Sequence, residues 1–170
     1  MNGKENIILI GMPACGKSVT GVVLAKVLNK KFIDADLLIQ ERAGKSLQDI
    51  INEEGLDAFK ALEEKVLLDI NAENAVIATG GSAVYYESAM EHLKTTGIVV
   101  YIDVPLPDVK NRLSNIKTRG VAMAKGQSLD DLYAARKPLY EKYADVTVTS
   151  GNKNDMEETV EDIINAILHR

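Results

Sequence analysis

Tryptophan is absent, phenylalanine occurs twice, and aromatic residues make up only 5% of the 170-residue chain. Proteins that stack bases along a nucleic-acid strand need more aromatic faces than this. Basic charge is not in excess either: a net charge of -5 leaves no positive field, so no nucleic-acid partner is expected. A single cysteine, Cys15, excludes an internal disulfide and suits a reducing compartment. No apolar run approaches the ~18 residues of a membrane span, so no membrane association is expected. Residues 1–6 run straight into an apolar stretch without the pattern of a secretory leader, and a cytoplasmic location is expected.

What remains is ordinary for a globular protein, with 46% hydrophobic and 26% charged residues. The length suits one domain, residues 1–170, able to bury about 70% of its unfolded surface. Five short apolar runs read as strands: Asn6–Ile10, Lys31–Asp34, 75–79, 98–102 and Val146–Thr149. They are continuous rather than alternating, as parallel strands covered on both faces require. Helical periodicity occupies 18–28, 46–70, 88–93, 107–113, 128–143 and 155–168, with Gly55 breaking the second segment. Ser46, Ser128 and the pair Asn154-Asp155 stand where helix caps belong. The alternation predicts a doubly wound α/β domain with a parallel sheet.

The most specific motif is Gly11-Met12-Pro13-Ala14-Cys15-Gly16-Lys17-Ser18, between the first strand and the first helix. Strand, G-x-x-x-x-G-K-S and helix together form a P-loop. Its backbone N–H groups, reinforced by the helix N-terminus, cradle nucleotide phosphates. Lys17 is expected to reach the β- and γ-phosphates of ATP, and the Ser18 hydroxyl to ligate Mg²⁺. Asp34 and Asp36 end the second strand. In extended backbone residues i and i+2 face one side, so both are expected to look toward the nucleotide's γ-phosphate at the edge of the sheet where ligands sit. One would hold Mg²⁺ through water, and the other would bind or deprotonate an attacking hydroxyl. Thr79-Gly80-Gly81-Ser82 follows the third strand, where paired glycines let a ligand approach the backbone closely. Residues 115–127 contain Lys117, Arg119, Lys125, Gly120 and Gly126, the composition of a mobile lid over phosphates. Cys15 reads as a tolerated small residue, and His92 and His169 as surface residues.

Taken together, these elements resemble the shikimate kinase family over nearly the whole chain. The matching segments are Gly11–Ser18, Phe32-Ile33-Asp34-Ala35-Asp36, Gly44-Lys45-Ser46-Leu47-Gln48-Asp49-Ile50, Phe59-Lys60 with Glu63, Thr79-Gly80-Gly81, and Arg136 before Pro138-Leu139-Tyr140. The resemblance implies a P-loop three-layer fold with a five-stranded parallel sheet in the order 2-3-1-4-5. Substrate-binding helices would span about residues 35–70, and the lid about residues 115–127. It implies transfer of the ATP γ-phosphoryl to the 3-hydroxyl of shikimate, with Mg²⁺ as cofactor, in a monomer.

By that resemblance the ATP site comprises Gly11, Ala14, Cys15, Gly16, Lys17, Ser18, Val19, Arg112 near adenine, and the lid residue Arg119. Asp34 organises Mg²⁺ through water together with Ser18. Asp36 contacts the acceptor's hydroxyls and acts as base, with Lys17 and Arg119 as its catalytic companions. Gly80, Gly81, Ser82, Lys60 and Arg136 complete the acceptor site, Arg136 taking the carboxylate. Four departures stand out, all on the acceptor side or in the lid. Lys60 replaces the usual arginine, Ser82 the third glycine and Leu56 a glutamate, and the lid reads Arg119-Gly120-Val121-Ala122-Met123 in place of Arg-Pro-Leu-Leu. Two alternatives stay open: a related kinase acting on another hydroxy acid or sugar acid, as gluconate-type kinases do, and a nucleotide-binding protein that has lost transfer.

Overall fold

The computed structural model describes residues 5–114, 121–151 and 155–170. Five strands form one parallel sheet in the order β2-β3-β1-β4-β5. They are β1 (Asn6–Ile10), β2 (Lys31–Asp34), β3 (Ala75–Ala78), β4 (Gly97–Asp103) and β5 (Val146–Thr149). In register, Ile8 stands beside Ile77 on one side and Val99 on the other. Every residue of β1 and β3 is buried, the physical reason for their unbroken apolar runs.

Helices α1 (Lys17–Val27), α2 (Ala35–Ala43), α3 (Leu47–Glu54), α4 (Leu56–Asp69), α5 (Glu87–Thr96), α6 (Leu106–Ser114), α7 (Leu129–Tyr143) and α8 (Met156–Leu168) connect and cover the strands. The crossover from β1 to β2 runs one way along the sheet and that from β3 to β4 the other. Right-handed crossovers therefore place α1 and α5 on opposite faces. The order reverses at β1, so the crevice beyond its C-terminal end is the natural ligand site. Among the described residues, no helix is long and apolar enough to cross a membrane.

The caps expected at Ser46, Ser128 and Asp155 form. Ser46 Oγ accepts from Asp49 N, Ser128 pairs with Asp131 in a reciprocal box, and Asp155 accepts from Glu158 N. Asn154 lies outside the described residues. Gly55, at φ 91°, separates α3 from α4 as expected. Helix α2 is absent from the periodicity reading because its buried side chains, Ala35 and Ile39, make no full stripe. It belongs instead to a satellite core of Ile39, Ile50, Phe59, Val66 and Ala122. Ala122 comes from the segment expected as the lid, so the described end of that segment packs onto the α2–α4 unit.

Candidate active site

The C-terminal edge of the sheet opens into a cleft of about 350 Å³. Its walls come from the P-loop, the β2–α2 junction, α4, the Gly80-Gly81 turn, Val121-Ala122 and α7. The P-loop backbone is specialised at three points. Gly11 has φ 149°, and a Cβ there would stand 2.7 Å from the Ile102 carbonyl oxygen. Ala14 (φ 60°) and Gly16 (φ 90°) are left-handed, the alternation that turns successive N–H groups inward to form an anion nest. Ala14 holds this conformation without being glycine, the kind of local strain found at ligand clamps.

Lys17 is buried, and its ammonium donates to the carbonyl oxygens of Gly11 and Met12, both at 2.8 Å, and contacts Cys15 Sγ at 3.5 Å. The charge thus rests on the loop's own carbonyls at the cleft wall. Ser18 Oγ donates to Asp34 Oδ2 at 2.7 Å. Asp34 Oδ1 accepts from Asp36 N at 2.9 Å and Leu37 N at 3.4 Å, capping α2. This corrects the extended-backbone reading of Asp34 and Asp36. The strand ends at Asp34 and the helix starts at Ala35, so Asp36 reaches the cleft from the first helical turn. Both carboxylates still line the cleft. Val19 lines the cleft beside the P-loop, and Arg112 Nη1 donates to the Ala14 carbonyl across the loop at 3.4 Å. Cys15 is buried behind the loop. Arg119 and Lys117 lie outside the described residues.

The end of the cleft away from the P-loop helix is built on two glycines. A Cβ on Gly80 would stand 2.5 Å from Glu63 Oε2 and 2.9 Å from Asp36 Oδ1, so both carboxylates converge over this backbone. A Cβ on Gly81 would meet Arg136 Nη1 at 2.8 Å and Pro13 Cδ at 2.9 Å. Ser82 lines the cleft, but its hydroxyl is committed to Glu63 Oε1, which also accepts from the Tyr86 hydroxyl at 2.8 Å. Burial pushes the Glu63 carboxyl above the usual range, and the Asp36 charge adds to this. The Ser82 and Tyr86 hydroxyls and the Arg136 charge pull the other way without restoring it. Tyr86 is itself pushed up, by burial and then by the Glu63 charge.

Arg136, 1% exposed, is among the largest fully buried side chains. Its Nη2 donates to the Ala122 carbonyl at 2.8 Å, while Nε has no hydrogen-bond partner. One turn on, the Tyr140 hydroxyl donates to the Gly81 carbonyl at 2.6 Å, and its ring stacks on Tyr101 with centroids 5.1 Å apart. Helix α7 therefore grips the glycine turn with Tyr140 and the Val121-Ala122 segment with Arg136. Lys60 does not line the cleft; its ammonium lies over the Tyr85 ring.

Glu63 and Tyr140 stand in the matching sequence segments but have no role of their own there, and Tyr85 is not singled out. For Glu63 a signal existed. It falls on the α4 face that buries Phe59, Val66 and Leu67, and a carboxylate on such a stripe needs partners. His92, read as a surface residue, is half-buried with Nε2 2.8 Å from the Ile70 carbonyl oxygen.

A phosphate nest at a topological switch point, a lysine and serine on the following helix, and carboxylates with a buried arginine facing them define a P-loop small-molecule phosphotransferase. Comparison with known proteins makes this specific. The family model described as shikimate kinase matches residues 13–168. The shikimate kinase of Xylella fastidiosa (strain M23) is 36% identical over 172 residues, covering 99% of this chain and 96% of the relative. The structure of Acinetobacter baumannii shikimate kinase in complex with shikimate superposes with a TM-score of 0.86 at 32% identity, covering 96% of this chain and 93% of that one. Human threonine synthase-like 1 is 37% identical over 171 residues, 97% of this chain but 22% of that much longer protein. The chain belongs to the shikimate kinase family. Its sheet order is the one the resemblance implied.

Proposed function

We propose that this chain, acting as one kinase domain, transfers the γ-phosphoryl of ATP to the 3-hydroxyl of shikimate, giving shikimate 3-phosphate and ADP. The observation that carries the reading is Arg136. A guanidinium buried to 1% exposure, with an unpartnered Nε and no carboxylate at ion-pair distance among the described residues, is costly unless a ligand supplies the anion. A planar fork suits a planar carboxylate. Family membership favours shikimate over the gluconate-type acceptor that the residues alone left open.

The nucleotide phosphates occupy the nest of Gly11–Ser18, with Val19 and Arg112 on its flanks. Lys17 leaves the Gly11 and Met12 carbonyls for the β- and γ-phosphates. The Ser18–Asp34 pair fits Mg²⁺: a hydroxyl and a carboxylate 2.7 Å apart are hard oxygen donors, direct and through water. Mg²⁺ neutralises phosphate charge when bound. At the acceptor end, Arg136, Gly80, Gly81 and Ser82 seat the acid so that its 3-hydroxyl lies by Asp36, and Lys60, held on the Tyr85 ring outside the cleft wall, adds positive charge toward the carboxylate. A bond forms from that oxygen to the γ-phosphorus as the bond to the β,γ-bridging oxygen breaks, and Asp36 takes the hydroxyl proton. Arg119 and the lid complete the charge neutralisation and exclude water.

A calorimetric titration tests the acceptor assignment. Wild-type protein with MgADP is expected to bind shikimate, and Arg136→Met to lose that binding while keeping MgADP affinity. Equal shikimate binding by both proteins would contradict the reading.

A further inference from the structure

We propose that Tyr85 is a positioning residue for the acceptor: its ring carries both the Lys60 ammonium and the Arg136 guanidinium, next to the cleft wall that Arg136 forms. The inference rests on the shikimate reading above and adds a residue that the reading does not use. Tyr85 ends the single 3₁₀ turn (Ala83–Tyr85) that follows the Gly80-Gly81-Ser82 segment. Lys60 Nζ lies 5.9 Å from its ring centroid and Arg136 Cζ 5.3 Å. The two cations come from different helices, α4 and α7, and this ring is the group they share.

The arrangement has a physical purpose. Lys60 makes no hydrogen bond or ion pair among the described residues. An ammonium on a flexible four-carbon stem with no other partner would otherwise swing into water. The negative face of an aromatic ring holds each cation without neutralising its charge, as a carboxylate partner would. Both cations thus remain available to an incoming anion. The ring is 40% exposed, so its removal does not open the core. In this chain, where a lysine stands at position 60, the tyrosine face supplies geometric control that an ammonium lacks.

Two variants separate a cation-holding ring from mere apolar cover. Tyr85→Leu keeps apolar bulk and removes the quadrupole, whereas Tyr85→Phe keeps the ring. Tyr85→Leu is expected to raise KM for shikimate about three- to tenfold, with kcat and KM for ATP unchanged. Tyr85→Phe should match wild type. Wild-type KM in Tyr85→Leu, or equal impairment of both variants, would overturn the proposal.

A second readout does not depend on turnover. The ε-methylene protons of Lys60, assigned by comparison with Lys60→Met, should be ring-current shifted upfield in wild type and Tyr85→Phe, and unshifted in Tyr85→Leu. An unshifted wild-type resonance would overturn the clamp. A wild-type protein inert toward shikimate would overturn the acceptor assignment instead, leaving the resonance to judge Tyr85.

Discussion

The Ser18 hydroxyl donates to Asp34 Oδ2 at 2.7 Å, tying the first turn of α1 to the end of β2. The other oxygen of the same carboxylate caps α2. Asp34 therefore has two separable jobs. Asp34→Asn keeps a good cap and loses the charge; Asp34→Ala loses both. The Asn variant should retain the wild-type melting temperature yet need about tenfold more Mg²⁺ for half-maximal rate. The Ala variant should show the same Mg²⁺ defect and lose about 1 kcal/mol of stability. Magnesium titrations of the rate beside thermal melts check this, and an Asn variant with wild-type Mg²⁺ dependence would contradict it.

Asp36 reaches the cleft from the first turn of α2 and converges with Glu63 over Gly80. As the group that takes the hydroxyl proton, it should be indispensable to transfer and irrelevant to nucleotide affinity. Asp36→Asn is expected to lower kcat by about 10²- to 10⁴-fold while MgATP binding stays intact. Wild-type turnover in that variant would remove Asp36 from the mechanism.

Glu63 has a carboxyl raised by burial above its ordinary value of 4.5. The folded state therefore prefers its protonated form. Its contribution to stability is full below the unfolded value and is lost as pH rises through the higher folded value. The melting temperature of wild type relative to Glu63→Gln should accordingly fall as pH rises from about 4.5. Ser82→Ala removes a hydrogen bond that favours the charged form, so it should extend the decline to higher pH. Parallel melting curves for wild type and Glu63→Gln across this range would contradict the assignment.

Lys60 offers a point charge where a guanidinium would offer two parallel hydrogen bonds. Lys60→Arg should lower KM for shikimate, since an arginine can stay on the Tyr85 face and still present a fork. An unchanged or higher KM would show that position 60 does not meet the carboxylate.

The parts of this site legible in the sequence are those whose chemistry is local. Gly11, Gly16, Lys17 and Ser18 act through backbone and spacing along one strand–loop–helix unit, so the motif carries its own geometry. The sheet order was legible only through the family resemblance, since short apolar runs predict parallel strands but not their arrangement. Other features depend on folding and could not be read locally. Arg136 and Tyr140 reach the glycine turn only because α7 packs against it. Tyr85 meets Lys60 and Arg136 only because α4 and α7 each pack against the 3₁₀ turn that carries it. The Asp34–Asp36 reading failed in detail because Asp34 itself caps α2 and ends the strand, two residues before Asp36.

Phosphoryl transfer to shikimate is read from steady-state ADP release. Purified protein with MgATP would be assayed with shikimate, quinate, gluconate and no acceptor. The account predicts strong ADP release with shikimate, far above the other three conditions. A shikimate rate equal to the acceptor-free rate, or faster turnover of gluconate, would contradict it.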